Sequence, residues 1–176
     1  MNNSNQLKMT VYTSLFVSFI AIGAFIIIPI GPVPIVLQNM FVLLAGIILG
    51  PVWGLACVVI YLLIGLVGLP VFSGGGAGIG ILFGPTGGYL LGYLPAVFVT
   101  AGISKALGKK MSSDVIAMVI GSLIVYSAGV PWLKIVTAMS FEKAFTVGMY
   151  PFLIGDAIKI IAAAFIAKTL RPVIKL

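Results

Sequence analysis

Between residues 70 and 93 the chain reads Pro-Val-Phe-Ser-Gly-Gly-Gly-Ala-Gly-Ile-Gly-Ile-Leu-Phe-Gly-Pro-Thr-Gly-Gly-Tyr-Leu-Leu-Gly-Tyr, a run of helix breakers set between long apolar stretches. Inside a bilayer, irregular backbone is tolerated only where protein buries it or where it borders a cavity. The rest of the chain demands a bilayer: 61% of its 176 residues are apolar and 7% are charged, against roughly 25% charged in a soluble domain. The expected fold is an all-α membrane protein, and the glycine-rich break marks a place where something binds.

At about 20 residues per crossing, six spans with short loops fit the length, as one integral membrane domain over residues 1–176. Span 1 is expected from Met9 to Ile28, stopped by Pro29, Pro32 and Pro34, which cannot continue a helix. It reads as a retained helix, because no small-residue cleavage site follows it. Span 2 runs from Val36 or Leu37 to Gly50-Pro51, short for a crossing, and span 3 from Val52 to Leu69. After the loop Pro70–Gly80, span 4 starts near Ile81 or Thr86 and reaches Ala106. Span 5 covers Val115–Leu133, a semi-polar connection Lys134–Gly148 follows, and span 6 runs Met149–Lys168.

The net charge of +7 sets orientation. With the N-terminus inside, Lys8, Lys105, Lys109, Lys110, Lys168, Arg171 and Lys175 are cytoplasmic, and only Lys134 and Lys143 are outside. That asymmetry follows the positive-inside rule and makes both termini cytoplasmic. The loops Pro29–Pro34 and Pro70–Gly80 then share the outer face, as a lid over a pocket. No basic stripe with interleaved aromatics suggests nucleic acid.

Asp156 and Lys159 stand three residues apart in span 6, on one helix face. Ionisable groups at that depth are expensive and are functional by default. They form either a structural ion pair or a polar clamp at the floor of the pocket, able to accept N–H groups and to donate to oxygen. Asp114 follows Ser112-Ser113 and reads as helix-start chemistry. Thr10, Ser14 and Ser18, at four-residue spacing in span 1, serve either internal packing or docking of another membrane subunit.

The inventory excludes other chemistry. There is no histidine and one cysteine, Cys57, so a His/Cys metal site cannot be assembled; Cys57 reads as a small lipid- or helix-facing residue. Gly102–Lys110 has the wrong spacing for a phosphate-binding loop and ends in Lys, and the glycines at 74–80 do not match a dinucleotide fingerprint. No nucleophile–base pair supports an enzyme.

Four segments in order carry a resemblance: Gly31-Pro-Val-Pro-Ile-Val-Leu-Gln-Asn39, Gly68-Leu-Pro-Val-Phe-Ser-Gly-Gly75, Gly84-Pro-Thr-Gly-Gly-Tyr-Leu90 and Gly155-Asp-Ala-Ile-Lys159. Together they resemble the BioY family, the biotin-binding S components of energy-coupling factor (ECF) transporters. The resemblance implies the six-helix S-component fold with both termini cytoplasmic. It also implies a biotin site near the outer face, closed by the loops after helices 1 and 3. On the family's Asp-x-x-Lys motif, Asp156 would accept ureido N–H groups and Lys159 would donate to a ligand oxygen; for biotin, Gln38 and Asn39 would reach the head, Phe72, Tyr89 and Tyr93 would pack on the ring and chain, and Ser73, Gly75 and Gly76 would be further contacts. Partners would be a transmembrane coupling subunit and two ABC-type ATPase subunits, which use the ATP; the chain itself needs no cofactor. Ser14 and Ser18 stand where the family docks through alanines. Some members carry an arginine in the loop after helix 3. Here Gly76 stands in that stretch and no arginine precedes Arg171, so the biotin carboxylate would meet a nest of N–H groups from Ser73 to Gly76 or Lys159. The competing readings are a stand-alone biotin facilitator and an S component for another small vitamin.

Overall fold

The computed structural model describes residues 3–29 and 31–174; Lys175, one of the residues in the charge count, lies outside them. Five helical segments are long and apolar enough to cross a membrane: Asn3–Phe25, Gln38–Leu66, Gly87–Ala106, Met111–Thr137 and Phe141–Ile174. The second makes two crossings. Helix α2 (Gln38–Leu66) is broken at Gly50, whose φ of 82° and ψ of 179° lie outside any helix. The left-handed region favours glycine, and Pro51 starts the next limb, where its missing N–H costs little. A Cβ on Gly54 would fall 2.9 Å from the Cα of Gly46. Eight residues along a straight helix span about 12 Å, so the limbs 38–49 and 51–66 fold back on each other as a hairpin. Six crossings result, as the sequence implies.

Helix α1 (Asn3–Phe25) ends before the expected Ile28. Ile27–Ile28 form strand β1, paired antiparallel with strand β2, Ile35–Val36, in the register Ile27 to Val36 and Ile28 to Ile35. Pro29 disfavours the helical conformation at residue 28, and β-branched isoleucines suit a strand. The returning chain also caps α1, since the Leu37 N–H donates to the carbonyls of Gly23 at 3.1 Å and Ile26 at 3.3 Å.

The glycine-rich segment leads through a short 3₁₀ turn, Ser73–Gly75, to the one-turn helix α3 (Gly80–Phe83). The spans α4 (Gly87–Ala106) and α5 (Met111–Thr137) follow. Helix α5 runs a turn beyond the expected span at both ends. The supposed semi-polar connection is therefore the last turn of α5 plus a short amphipathic helix α6 (Phe141–Gly148), capped by the Ser140 hydroxyl accepting from the Lys143 N–H at 3.3 Å. Helix α7 (Tyr150–Ile174) closes the bundle. The α2 hairpin packs between α1 and α4, α4 also packs on α5, and α7 lies against α2, α5 and α6.

The outward sides of these helices carry Val11, Leu15, Phe98, Leu123, Ile158 and Phe165, all exposed. An apolar exterior of this kind needs lipid, not water, around it. Cys57 is fully buried with its Sγ 3.7 Å from the Thr13 carbonyl oxygen, facing α1. Asp114 departs from expectation. The reciprocal cap at the start of α5 is made by Ser113 and Lys110, and Asp114, 0% exposed, pairs with Arg171 instead.

Candidate functional site

At the outer end of the bundle a cavity of about 810 Å³, measured out to its mouth, lies among both outer loops and the helices α2, α4, α5 and α7. Asp156 and Lys159 enter from the second and third turns of α7, and the first turn of α2 brings Gln38 and Asn39. Tyr89 and Tyr93 come from α4, Ser122 and Tyr126 from α5, and Phe72 and Ser73 from the glycine-rich loop.

The charged pair is the centre of a closed network. The Asp156 Oδ1 accepts from Lys159 Nζ at 3.0 Å and from Asn39 Nδ2 at 3.0 Å. The Tyr126 hydroxyl donates to Asp156 Oδ2, and Lys159 Nζ also reaches Asn39 Oδ1 at 3.4 Å. Asp156 and Lys159 are 5% and 8% exposed. A buried pair is held only when further hydrogen bonds satisfy its remaining lone pairs and protons, and Asn39 and Tyr126 provide them here. The ion pair is thus closed within this network.

Around that network the lining is mostly apolar, from Val33, Val36, Ile81, Leu90 and Phe152. Three of its polar atoms are buried without a hydrogen-bond partner: Gln38 Nε2, Ser73 Oγ and Ser122 Oγ. An unmet buried polar group costs about 1–3 kcal/mol. All three line the cavity, where the polar groups of a bound molecule can meet them.

Hydrogen bonds and tight packing hold the walls. The Tyr61 hydroxyl donates to the Val71 carbonyl at 2.9 Å. Beside it the Phe72 ring, 1% exposed, stands edge-on to Tyr61 with centroids 5.6 Å apart. A Cβ on Gly65 would come within 2.2 Å of that ring, so only a glycine there leaves room for Phe72. Across the cavity the Tyr89 hydroxyl donates to the Gly148 carbonyl at 2.8 Å, joining α4 to the end of α6. The Trp132 indole N–H donates to the Gly84 carbonyl at 3.0 Å, fixing the turn that starts α4.

Of the residues expected from the sequence, Asp156, Lys159, Gln38, Phe72, Ser73 and Tyr89 line the cavity; Gly75 and Gly76 do not. The Gly75 N–H is taken by the Phe72 carbonyl at 2.9 Å and that of Gly76 by the Ser73 carbonyl at 3.4 Å. Half of the expected anion nest is thus engaged in shaping the loop. Tyr126 and Ser122 are the residues that sequence reasoning missed. They stand four apart on one face of α5, and a polar pair at that spacing in an apolar span is the available signal.

Ser14 and Ser18 lie far from this cavity, on the exposed side of α1 with Thr10. Their hydroxyls donate back to the carbonyls of Thr10 and Ser14, at 3.0 and 3.1 Å. All three are exposed, on the side of α1 turned away from the core.

A six-crossing bundle with a partly polar cavity under two outer loops defines a multi-pass membrane protein that holds a small molecule near its outer face. Comparison gives the particular family. The BioY family model matches residues 1–176. A probable biotin transporter BioY of Pyrococcus horikoshii is 39% identical, over 90% of this chain and 93% of its own. The biotin transporter BioY of Thermotoga maritima is 38% identical, over 94% of this chain and 96% of its own. Among solved structures, the S-component for biotin from an ECF-type ABC transporter matches with a TM-score of 0.92 at 33% identity, covering 98% of this chain and 95% of that one. The chain belongs to the BioY family, and its fold is that of an S component.

Proposed function

We propose that this chain captures biotin at the outer face and delivers it as the S subunit of an ECF-type uptake transporter. The observation that carries the reading is the cavity itself, where an ion pair with two satisfying partners and three unpartnered polar atoms converge in an apolar lining. Biotin matches that pattern, with a ureido ring that donates twice and accepts once, an apolar thiophane and chain, and a carboxylate. Asp156 Oδ2, which accepts from Tyr126 alone, has one acceptor position open for a ureido N–H. Lys159 and Gln38 Nε2 donate to the ureido oxygen, and Ser122 adds a hydroxyl. Phe72, Tyr89 and Tyr93 pack on the apolar body. With the Gly75 and Gly76 amides engaged, Ser73 Oγ and the Ser73 and Gly74 amides are the loop donors proposed for the carboxylate at the mouth. The ligand is bound and released unchanged, so the chain is no enzyme and needs no cofactor of its own.

Delivery requires partners. The exposed stripe Thr10, Ser14 and Ser18 lets a neighbouring helix approach closely, and it is the surface proposed for the coupling subunit, with ATP used by two ATPase subunits beyond it. The test is biotin uptake in a biotin-requiring host expressing this chain with and without those subunits. Uptake that depends on them is expected; equal uptake without them favours the stand-alone facilitator. Ser14→Phe with Ser18→Phe is expected to leave biotin binding within twofold of wild type and to abolish co-purification of the coupling subunit.

The Phe72 seat gives a further expectation. Gly65→Val forces the ring out of its slot, and overpacking of this kind costs about 1–3 kcal/mol. Biotin dissociation from the purified variant should be at least about fivefold faster. An unchanged rate would remove Phe72 from the closing mechanism.

A further inference from the structure

A second cavity lies at the opposite, cytoplasmic end, lined by Ile48, Lys109, Arg171 and Ile174. Two walls are aliphatic and two are cationic. Ile48 ends the first limb of α2 near the Gly50 turn, Lys109 lies in the turn between α4 and α5, and Arg171 and Ile174 belong to the last turns of α7.

The Lys109 backbone and the Arg171 guanidinium are fixed in place. Helix α4 ends in a Schellman turn: the Gly108 N–H donates to the Lys105 carbonyl at 3.3 Å and the Lys109 N–H to the Ser104 carbonyl at 2.9 Å. Lys109 is held at φ 54°, a left-handed conformation uncommon outside glycine. Its carbonyl accepts from Arg171 Nη1. The Arg171 guanidinium is fixed in turn by Asp114, at 2.7 and 2.8 Å, and by the Ser104 hydroxyl at 3.1 Å.

The charges do not balance. Among the described residues Asp114 is the one acidic side chain at this end, since Glu142 lies in α6 and Asp156 in the outer cavity. Against it stand Arg171, Lys109, Lys105, Lys110 and Lys168, and among the described residues none of the four lysines has an ion-pair partner. Basic pockets between helices on the cytoplasmic side suit anionic lipid headgroups. Aliphatic walls beside the cations add a place for the first acyl carbons.

We infer that this cavity seats the phosphate of an anionic phospholipid of the cytoplasmic leaflet, with Lys109 as its principal cation and Ile48 and Ile174 against the acyl chains. The site is separate from the outer cavity, so a lipid there leaves ligand capture intact and anchors the α4–α5 turn to α7.

Native mass spectrometry of the detergent-purified protein tests this, with phosphatidylglycerol, phosphatidylcholine or water-soluble glycerol phosphate added. Phosphatidylglycerol should be retained at one molecule per chain and phosphatidylcholine should not. Lys109→Gln should weaken retention about fivefold, the effect of one basic residue near a membrane surface. Lys105→Gln, at the same end but outside the cavity lining, should retain lipid like wild type. Biotin binding by both variants should be unchanged, which certifies their fold. Equal retention of the two lipids, or retention unaffected by Lys109→Gln, overturns the site. Equal losses in the two lysine variants reduce it to diffuse surface attraction, and capture of glycerol phosphate in place of the lipid overturns the lipid assignment.

Discussion

Asp156→Asn should lower biotin affinity about 100-fold or more. The carboxylate is the acceptor on which Lys159, Asn39 and Tyr126 all converge, and hydrogen bonds to a charged group contribute about 1.5–3 kcal/mol each. Neutralising it weakens the ligand's ureido contacts and also leaves the Lys159 ammonium buried without its counter-charge. Breaking a buried pair from one side destabilises by about 3–5 kcal/mol, so lost binding alone is ambiguous. The double variant Asp156→Asn with Lys159→Gln separates the two effects, because it removes both charges. It should regain most of the thermal stability lost by the single variant and none of the biotin affinity. A double variant that binds like wild type would return the pair to a structural role.

The second large effect is expected at the other end of α7. Asp114→Ala strands the Arg171 guanidinium, which gives the carboxylate two hydrogen bonds and is itself 21% exposed on its side chain. With partial access to water the cost is set at the lower end for a broken buried pair, about 3 kcal/mol. For a chain of this size that lowers the melting temperature in detergent by about 10 °C. Biotin affinity measured well below the transition should not change, because the ion pair lies at the end of the bundle opposite the outer cavity. Asp114→Asn, which keeps the acceptor oxygen for Arg171 or Ser104, should lose less.

These two aspartates also mark what can be read from sequence. Asp156 was legible because a charge in the outer half of an apolar span has few structural uses, and its i,i+3 partner is in the same segment. Asp114 misled because it follows two serines at a helix start, where a local cap and a long-range ion pair look alike; its partner lies 57 residues away. The break at Gly50-Pro51 was legible from local backbone rules, as was the glycine-rich loop. The strand pair of Ile27–Ile28 with Ile35–Val36 was not, since three consecutive isoleucines extend an apolar helix as readily as they enter a strand. The cavity network was half legible. Asn39 and Lys159 are polar residues in apolar runs, but Tyr126 reads as core, and only its hydrogen bond to Asp156 reveals its part. Gly75 and Gly76 carried the right loop and the wrong role, because sequence shows where amides are plentiful and only geometry shows which are already bonded.

The central claim is that the outer cavity holds biotin, and saturation binding of tritiated biotin to the purified, monodisperse protein tests it most directly. The account predicts saturable binding at one biotin per chain, displaced by unlabelled biotin. Absence of saturable binding by protein with a cooperative thermal transition would contradict it.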